Sequence, residues 1–359
     1  MHSWKSLFVF ILSGITAFLA LNIILMFYYC LPIHIKNPDS TTDYMWESKH
    51  VWVEMTEGIS WGKMDENGFN NYRVIQNPDI LILGSSHMEA TYVFQKWNTV
   101  NVLKEYLEQK NLSLSVYNKG ISGHHFLKCC KYLNANTQDR ELKYVVIETM
   151  KVDYSVDEIQ KLFSDAIDYT ESYDSGLIFY LQKMPFLRLL FYQCDMGLLN
   201  LFFDNKNNAH LNPLRLLMRS LSKRNEQQSL MNTHQKVKAD VSLEECYDLL
   251  FSYIENNSHG KKIIIFYHPE ERPEKDGSLE YRTDENCLSQ FSRSAEEHGI
   301  TFIDLTAASK ELWQTEHKTT HGFCTGTAFS GHLNKNGHRI AARHLADCII
   351  RLEKQNVSF

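Results

Sequence analysis

The sequence has no excess of positive charge. Its 37 lysines and arginines are outnumbered by 43 aspartates and glutamates, which gives a formal net charge of −6 at pH 7. A protein that binds nucleic acid through phosphate contacts needs a basic surface. No block of lysine and arginine follows the first apolar segment either, so nothing there would bind acidic lipid. We therefore do not expect nucleic acid as a partner.

The cysteines lack the close, regular spacing of a disulfide framework. They stand at positions 30, 129, 130, 194, 246, 287, 324 and 348. Small secreted domains use such frameworks because their cores are too small to be stable, and a chain of 359 residues does not need that help. We expect most of the cysteines to be buried thiols, and the sequence predicts no particular pairing.

Only one stretch lacks charge for long enough to cross a membrane. No charged residue lies between Lys5 and His34, and Leu7–Leu31 offers about 25 mostly apolar positions, roughly 38 Å as a helix. A cleaved signal peptide has a shorter apolar core and small residues at its exit, whereas this run ends in the bulky segment Phe27–Leu31. The sequence therefore predicts an uncleaved transmembrane anchor at residues 7–31.

The rest of the chain has no second apolar run of spanning length. The short head favours residues 1–6 in the cytoplasm, so we expect a single-pass protein of the cytoplasmic (plasma) membrane whose soluble part lies on the extracytoplasmic side. Residues 32–77 are polar and turn-rich and are predicted to be a membrane-proximal lead-in. Residues 78–359 are predicted to form one large domain.

Apolar runs and helical periods alternate through most of that domain. Strands are predicted at Ile80–Leu83, Leu112–Tyr117, Tyr144–Glu148, Lys262–Tyr267 and Thr301–Leu305, and helices at Val93–Lys110, Phe126–Ala135, Leu243–Asn256, Glu285–His298 and about Lys335 to Glu353. Such alternation favours an α/β fold, a three-layer sandwich around a five-stranded, mostly parallel sheet. Residues 154–240 show no clear strand and are predicted to be a helical insertion.

The first predicted strand delivers two serines into a strand-to-helix turn. Gly84 ends the apolar run, and Ser85 and Ser86 follow it. In open parallel sheets the carboxyl ends of the strands carry ligands and reacting groups, so a serine here can be a nucleophile. Serine is also a preferred helix cap, and this segment alone does not separate the two roles.

Two further segments bear on the same chemistry. After the second strand come Asn118, Gly120 and Gly123, whose glycines permit close approach of the backbone to an anion. Near the carboxyl terminus His332 is predicted to lie on a loop just ahead of the last helix, where an imidazole can take a proton from a serine. The sequence thus places a candidate nucleophile and a candidate base at opposite ends of the domain.

Together these segments resemble the blocks of the SGNH/GDSL hydrolase superfamily, with its flavodoxin-like sheet. The resembling stretches are Gly84-Ser85-Ser86, Asn118-x-Gly120-x-x-Gly123 and His332-Leu333-Asn334-x-x-Gly337-His338. Behind a membrane anchor, the first stretch is similar to envelope members such as the teichoic-acid D-alanine transfer protein group. The resemblance implies Ser86 as nucleophile and His332 as base. It also implies that the N–H groups of Ser86 and Gly120 are oxyanion donors.

The chain departs from that superfamily at two supporting positions. The usual aspartate two or three residues before the histidine is replaced by Ser330 and Phe329, and no asparagine follows the third strand. Either loss can lower the rate strongly. Glu148 or Asp153 are candidates for the missing carboxylate. The accessory residues that we consider are Ser85, Asn118, Glu148, Asp153, Ser330 and His268.

Metal binding has a weaker basis. His317, His321 and Cys324 are ligand types, but the glycines and threonines around them are typical of a loop. We expect no metal and no cofactor.

The leading hypothesis from the sequence is a membrane-anchored serine esterase or acyltransferase. Its substrate would be an acylated carbohydrate of the cell envelope, with an O-acetyl or similarly small acyl group, and a membrane acyl-donor protein is a candidate partner. The alternative is a catalytically inactive module that binds glycan or scaffolds a surface-polymer modification or export complex. The two missing supporting residues motivate that alternative.

Overall fold

The computed structural model describes residues 2–27, 29–30, 34–37, 41–55, 57–163, 184–187, 242–274, 276, 278–282, 284–323 and 328–357. Most of the predicted insertion at 154–240 lies outside these residues. The chain divides into two compact units, one of residues 1–30 and 174–241 and one of residues 31–173 and 242–359. The domain boundaries predicted from the sequence stay predictions.

In the first unit, helix α1 (His2–Met26) precedes a short strand, β1 (Tyr29–Cys30). Its segment Trp4–Met26 is long and apolar enough to cross a membrane, with a mean hydropathy of 2.4 and none of the segment buried against protein. A membrane anchor and a signal sequence both have this length and composition. The orientation and the membrane location therefore stay predictions.

The second unit begins with two antiparallel hairpins built from the lead-in segment. Strand β2 (His34–Lys36) pairs with β3 (Tyr44–Trp46), and β4 (Val51–Glu54) pairs with β5 (Ser60–Lys63). The lead-in has a small hydrophobic core, in which Trp46, Trp52 and Met64 are buried together.

The remaining elements alternate as the sequence predicts. The strands are β6 (Ile80–Gly84), β7 (Val116–Gly120), β8 (Tyr144–Thr149), β9 (Lys262–Tyr267), β10 (Glu270–Pro273), β11 (Leu279–Arg282), β12 (Thr301–Asp304), β13 (His321–Gly322) and β14 (Ala328–Leu333). The helices are α2 (Ser86–Glu89), α3 (Thr99–Gln109), α4 (Phe126–Lys131), α5 (Leu133–Asn136), α6 (Val156–Phe163), α7 (Leu243–Asn257), α8 (Glu285–Glu297), α9 (Thr306–Glu316) and α10 (Lys335–Val357).

Five of these strands form the central sheet in the order β12-β9-β8-β6-β7, and every neighbouring pair is parallel. The predicted five-stranded parallel sheet is confirmed. Strands β6, β8 and β9 are apolar on both faces because helices cover both, and nearly all of their residues are buried.

Different helices cover the two faces of the sheet. On one face α3 and α10 join a core that includes Leu103, Leu107 and Leu345. On the other, aromatic rings of α7 and α8 pack together, with the centroids of Phe251 and Phe291 4.9 Å apart. This arrangement is the predicted three-layer sandwich.

Several predicted positions differ from the structure. Helix α3 begins at Thr99 instead of Val93, and the helix predicted at Phe126–Ala135 is divided into α4 and α5. Strand β7 begins at Val116 instead of Leu112, because residues 112–115 precede the point at which β6 offers a partner, Ile80 opposite Val116. His332 lies on strand β14 instead of a loop, since β14 pairs with β13 through His321 opposite Leu333. Helix α9 was not predicted.

Candidate active site

The turn after β6 gives its two serines different environments. Ser85 is the cap of α2, since its hydroxyl oxygen accepts a hydrogen bond from the N–H of His87. The N–H and the hydroxyl of Ser85 both donate to Glu148 Oε2, each at 2.8 Å. Ser86 is the first residue of the helix, and its hydroxyl has a different partner. Capping and nucleophile roles, which the sequence left open, therefore fall on different residues.

The partner of Ser86 is His332. Ser86 Oγ lies 2.8 Å from His332 Nε2, although the two residues are 246 positions apart. This distance is within the range over which a general base can take a proton from a hydroxyl. The structure thus brings together the two residues that the sequence singled out as nucleophile and base.

A carboxylate holds the other side of the imidazole, and it belongs to Glu57. Glu57 Oε2 lies 2.7 Å from His332 Nδ1, and Glu57 Oε1 accepts the backbone N–H of His332, also at 2.7 Å. Both carboxylate oxygens therefore contact the same residue. The sequence-based search for this acid was wrong, because it considered Glu148 and Asp153 and omitted the lead-in segment.

The electrostatics of this pair favour an ionised carboxylate. Burial raises the pKa of Glu57. The hydrogen bonds from His332 and its positive charge lower the pKa by a larger amount, so the pKa lies below its usual value of 4.5. An ionised Glu57 accepts a hydrogen bond from the N–H at Nδ1 of His332. Nε2 is then left with a lone pair for the hydroxyl of Ser86.

Local packing explains why Glu57 reaches this position. It stands between β4 and β5, where a Cβ on the next residue, Gly58, would lie 2.2 Å from the carbonyl oxygen of Tyr92. A glycine is required there for the loop to approach so closely. The ring of Tyr92 stacks on the imidazole of His332 with centroids 3.8 Å apart and planes 16° apart. Tyr92 and Glu57 together fix the plane of the imidazole.

Backbone N–H groups near Ser86 can stabilise negative charge on a substrate oxygen. Four such groups in the turn after β7 already have acceptors. They are those of Gly120 (Asn118 Oδ1, 2.8 Å), Ile121 (Gly84 O, 2.9 Å), Ser122 (Glu89 Oε2, 2.6 Å) and His124 (Ile121 O, 3.0 Å). Among the residues that the structure describes, the N–H groups of Ser86 and Gly123 have no acceptor. The N–H of Gly120, the predicted donor, is therefore already engaged by Asn118, which corrects its predicted role, and the N–H of Gly123 is available in the same turn.

A buried carboxyl group, that of Glu89, forms hydrogen bonds with the turn after β7. Glu89, at the end of α2, accepts the N–H of Ser122 at 2.6 Å and its hydroxyl at 3.2 Å. Burial raises the pKa of Glu89 to about 7 despite these hydrogen bonds. Its protonation state is therefore sensitive near neutral pH. Asn118 adds a second support, since its side-chain amide donates to the carbonyl of Met88 at 2.7 Å.

Glu148 organises a second buried network behind the serines. Its Oε1 lies 2.8 Å from His268 Nε2, and His268 Nδ1 lies 3.0 Å from His321 Nε2. Glu271 Oε2 lies 3.8 Å from the other nitrogen of His321. His268 is 1 % exposed, so it does not line an open cleft. Glu148 supports Ser85 and does not contact His332, which corrects its predicted role.

The rings of His87, His268 and His321 come close enough to suggest a metal site. One nitrogen from each lies within 4.8 Å of the others. However, the N–H of Leu333 donates to His87 Nδ1 at 3.1 Å. A neutral His87 must then carry its proton on Nε2, and a protonated nitrogen does not bind a metal. The hydrogen bonds of this cluster therefore do not fit a three-histidine centre.

Comparison with known proteins adds little to this geometry. No family model matches the sequence, and no curated protein matches it.

Several solved structures resemble the fold at low identity. They include a catalytic mutant of Axe2, an acetylxylan esterase from Geobacillus stearothermophilus (17 % identity, TM-score 0.37, 75 % of this chain and 93 % of that chain), the psychrotrophic esterase EstA from Pseudoalteromonas sp. (14 %, 0.35, 77 % and 98 %) and the lipopolysaccharide acetyltransferase periplasmic domain of Salmonella ser. Paratyphi A (13 %, 0.36, 77 % and 85 %). At these identities and scores the likeness carries no argument about activity.

The remaining predicted residues are Asp153, Ser330, His317 and Cys324. Asp153 is exposed, and no hydrogen bond or ion pair joins it to Ser86 or His332 in the described part of the chain. Ser330 belongs to β14. Cys324 lies outside the described residues, and His317 ends α9 in the left-handed region with a φ of 50°. The sequence missed Glu57, although a Glu-Gly pair between two short alternating segments indicates a hairpin turn.

Proposed function

We propose that this chain is a serine-dependent ester hydrolase or O-acyltransferase with Ser86 as nucleophile, His332 as base and Glu57 as orienting acid. The observation that carries the proposal is the line of contacts from Ser86 Oγ to His332 Nε2 and from His332 Nδ1 to Glu57, at 2.8 and 2.7 Å. Nucleophile, base and orienter within hydrogen-bonding distance are what covalent acyl chemistry needs.

The reaction would proceed in two steps, acylation of Ser86 and then deacylation. His332 Nε2 takes the proton of Ser86 as Oγ attacks the ester carbonyl, and the N–H groups of Ser86 and Gly123 hold the oxyanion. Collapse of the tetrahedral intermediate breaks the carbon–oxygen bond of the ester. The proton on His332 passes to the departing alcohol, which leaves an acyl-serine. Water, or a hydroxyl of an acceptor, then attacks the acyl carbon while His332 Nε2 takes its proton. The second tetrahedral intermediate collapses with cleavage of the bond between the acyl carbon and Ser86 Oγ, His332 returns the proton to Oγ, and the free acid or the new ester leaves.

The apolar helix α1 supports a proposal for where the protein lies and hence for its substrate class. We propose that α1 anchors the protein in the cytoplasmic membrane with its soluble part in the cell envelope, where acylated glycans are the esters at hand. An O-acetyl or similarly small acyl group on such a glycan is the proposed substrate. A membrane acyl-donor protein would supply the acyl group if the reaction is a transfer.

The test is ester turnover by the full-length protein in detergent micelles. Wild type should release acetate from p-nitrophenyl acetate and from acetylated oligosaccharides, and Ser86→Ala and His332→Ala should each lose this activity by about 10³-fold or more. Ser289→Ala is the matched control, because Ser289 is exposed and its hydroxyl donates only to the carbonyl of Asn286. Turnover by wild type at the uncatalysed background, as in Ser86→Ala, would instead favour the non-catalytic glycan-binding module, and equal turnover above background would show that Ser86 is not the nucleophile.

A further inference from the structure

A cavity of about 330 Å³ lies on the far side of Tyr92 from His332 along the chain of contacts, with Tyr92 in its wall. One part of its wall is aromatic and comes from Tyr92, Phe94, Trp97 and Phe323. Tyr92 is the same ring that stacks on His332, so the cavity begins one ring away from the reacting centre. A group held in this cavity would lie beside an ester bound at Ser86.

The aromatic surface continues outward from the cavity. The ring of Trp61 meets that of Phe94 edge to face with centroids 4.6 Å apart, and Trp61 is 55 % exposed. Ile59, on the rim of the cavity, is 51 % exposed. Exposed aromatic side chains beside a cavity offer an apolar face to a ligand ring and a polar edge to its hydroxyl groups.

The same wall carries two lysines without a carboxylate partner in the described part of the chain. Lys335 Nζ lies 4.1 Å and Lys96 Nζ 4.9 Å from the ring centroid of Trp97, and neither lies within 4 Å of a carboxylate. Arg339 joins these residues in an adjoining cavity of about 310 Å³ that shares Trp97 and Lys335 with the first. Unlike the two lysines, Arg339 has a carboxylate neighbour, since its charge lowers the pKa of Glu316.

The charge of the surface around these two cavities is opposite in sign to the net charge of the whole chain. The net charge is −6, yet Glu105 is the one carboxylate that lines either of the two cavities among the described residues. Unpaired cations over an aromatic ring attract an anion more strongly than cations that are already neutralised. The surface is therefore complementary to a ligand that combines rings with negative charge.

We propose that these two cavities form the glycan-binding subsite of the enzyme and that they select an acidic glycan, one whose sugar units carry carboxylate groups. This inference rests on the proposed function for the identity of the acyl carrier. Rings of the glycan would lie against Trp61, Phe94 and Trp97. Lys335, Lys96 and Arg339 would pair with the carboxylates.

The test measures binding in the absence of turnover. Full-length Ser86→Ala in detergent micelles would be titrated with partly O-acetylated oligogalacturonides and, as the neutral probe, with acetylated xylo-oligosaccharides of the same length. The acidic probe should bind more tightly, and its affinity should fall as NaCl is raised from about 0.05 to 0.5 M. Adding Lys335→Gln or Lys96→Gln should weaken the acidic probe about fivefold each and leave the neutral probe unchanged.

Lys310→Gln is the matched control, because Lys310 also lies over an aromatic ring, 5.5 Å from the centroid of Tyr281, but lines neither cavity. It should bind both probes as the parent does. Equal affinity for both probes, or loss of binding in Lys310→Gln alone, would overturn the proposed selectivity. Because the assay needs no catalysis, this result is independent of ester turnover by wild type, on which the proposed function depends.

Discussion

Glu57 and His332 are 275 positions apart, yet both oxygens of the Glu57 carboxylate contact His332, one at Nδ1 and one at the backbone N–H. The segment that precedes the sheet is therefore part of the candidate active site. A carboxylate supplied from this hairpin takes the place of the acid that the superfamily resemblance leads one to expect just before the histidine. The candidate site therefore has a carboxylate that can orient the imidazole of His332.

Replacing that acid should damage catalysis and leave the fold intact. Glu57→Gln keeps the size of the side chain but removes the charge that holds the proton on Nδ1 of His332. We expect kcat to fall by about 10³- to 10⁴-fold, as when the equivalent aspartate of a serine protease becomes an amide. The measurement is ester turnover with the unfolding transition recorded in parallel.

Glu66→Gln is the control for this change. Glu66 belongs to the same lead-in segment, but it is exposed and its ion pair is with Lys49 at 3.3 Å. Its removal should leave kcat unchanged. A Glu57→Gln enzyme as active as wild type would show that Glu57 does not orient the imidazole.

The two adjacent serines should separate under mutation. Ser85→Ala removes the acceptor for the N–H of His87 and the hydroxyl that donates to Glu148, while the backbone N–H of residue 85 still donates to Glu148, so stability should fall by about 0.5–2 kcal/mol. The nucleophile stays in place, and turnover by the folded fraction should persist. Ser86→Ala should show the reverse, with stability close to wild type and no turnover. Denaturant midpoints and kcat for both variants check this pair.

The sequence was sufficient for the sheet, for the turn that carries Ser86 and for the distant histidine that contacts it. Strand β6 and the last helix have strong local patterns, and the order of Ser86 and His332 matches a known arrangement. The acid could not be found in the same way, because the contact between Glu57 and His332 depends on how the β4–β5 hairpin packs against Tyr92. That packing is a long-range property with no periodicity in the sequence.

The oxyanion donor shows the same limit on a smaller scale. The sequence-based interpretation chose Gly120, a glycine at the end of the second predicted strand. Whether that N–H is free depends on the side chain of Asn118, which accepts the N–H of Gly120 at 2.8 Å. A hydrogen bond within the turn, and not the residue type, decides which N–H is left for substrate.

Glu89 should make the stability of the protein depend on pH. Its pKa is raised from 4.5 to about 7 by burial. A group whose carboxyl pKa is raised on folding stabilises the native state when it is protonated, so this contribution is present below about pH 4.5 and is lost as pH rises through about 7. The full difference corresponds to about 3 kcal/mol.

Glu89→Gln should remove this dependence, because the amide keeps an acceptor for Ser122 and cannot ionise. Denaturant unfolding of wild type and variant at pH 5, 6, 7 and 8 measures the effect. The stability of wild type relative to Glu89→Gln should decrease as the pH rises. A constant difference over this range would mean that Glu89 does not titrate there.

Removal of divalent metal should leave the enzyme unchanged. The N–H of Leu333 occupies Nδ1 of His87 and leaves a proton on Nε2, so the cluster with His268 and His321 does not offer three free nitrogens. Turnover and the unfolding midpoint should be the same before and after treatment with EDTA. A loss of either that Zn²⁺ restores would contradict this assignment of protons.

The most direct test of the account is covalent labelling of the nucleophile. Full-length wild type in detergent should react with a serine-directed phosphonate, and peptide mapping by mass spectrometry should place the adduct on Ser86. Ser86→Ala should not be labelled, and Glu57→Gln should be labelled much more slowly. A folded wild-type protein that takes up no phosphonate, or carries it on a different serine, would contradict the assignment of Ser86, His332 and Glu57 as a catalytic triad.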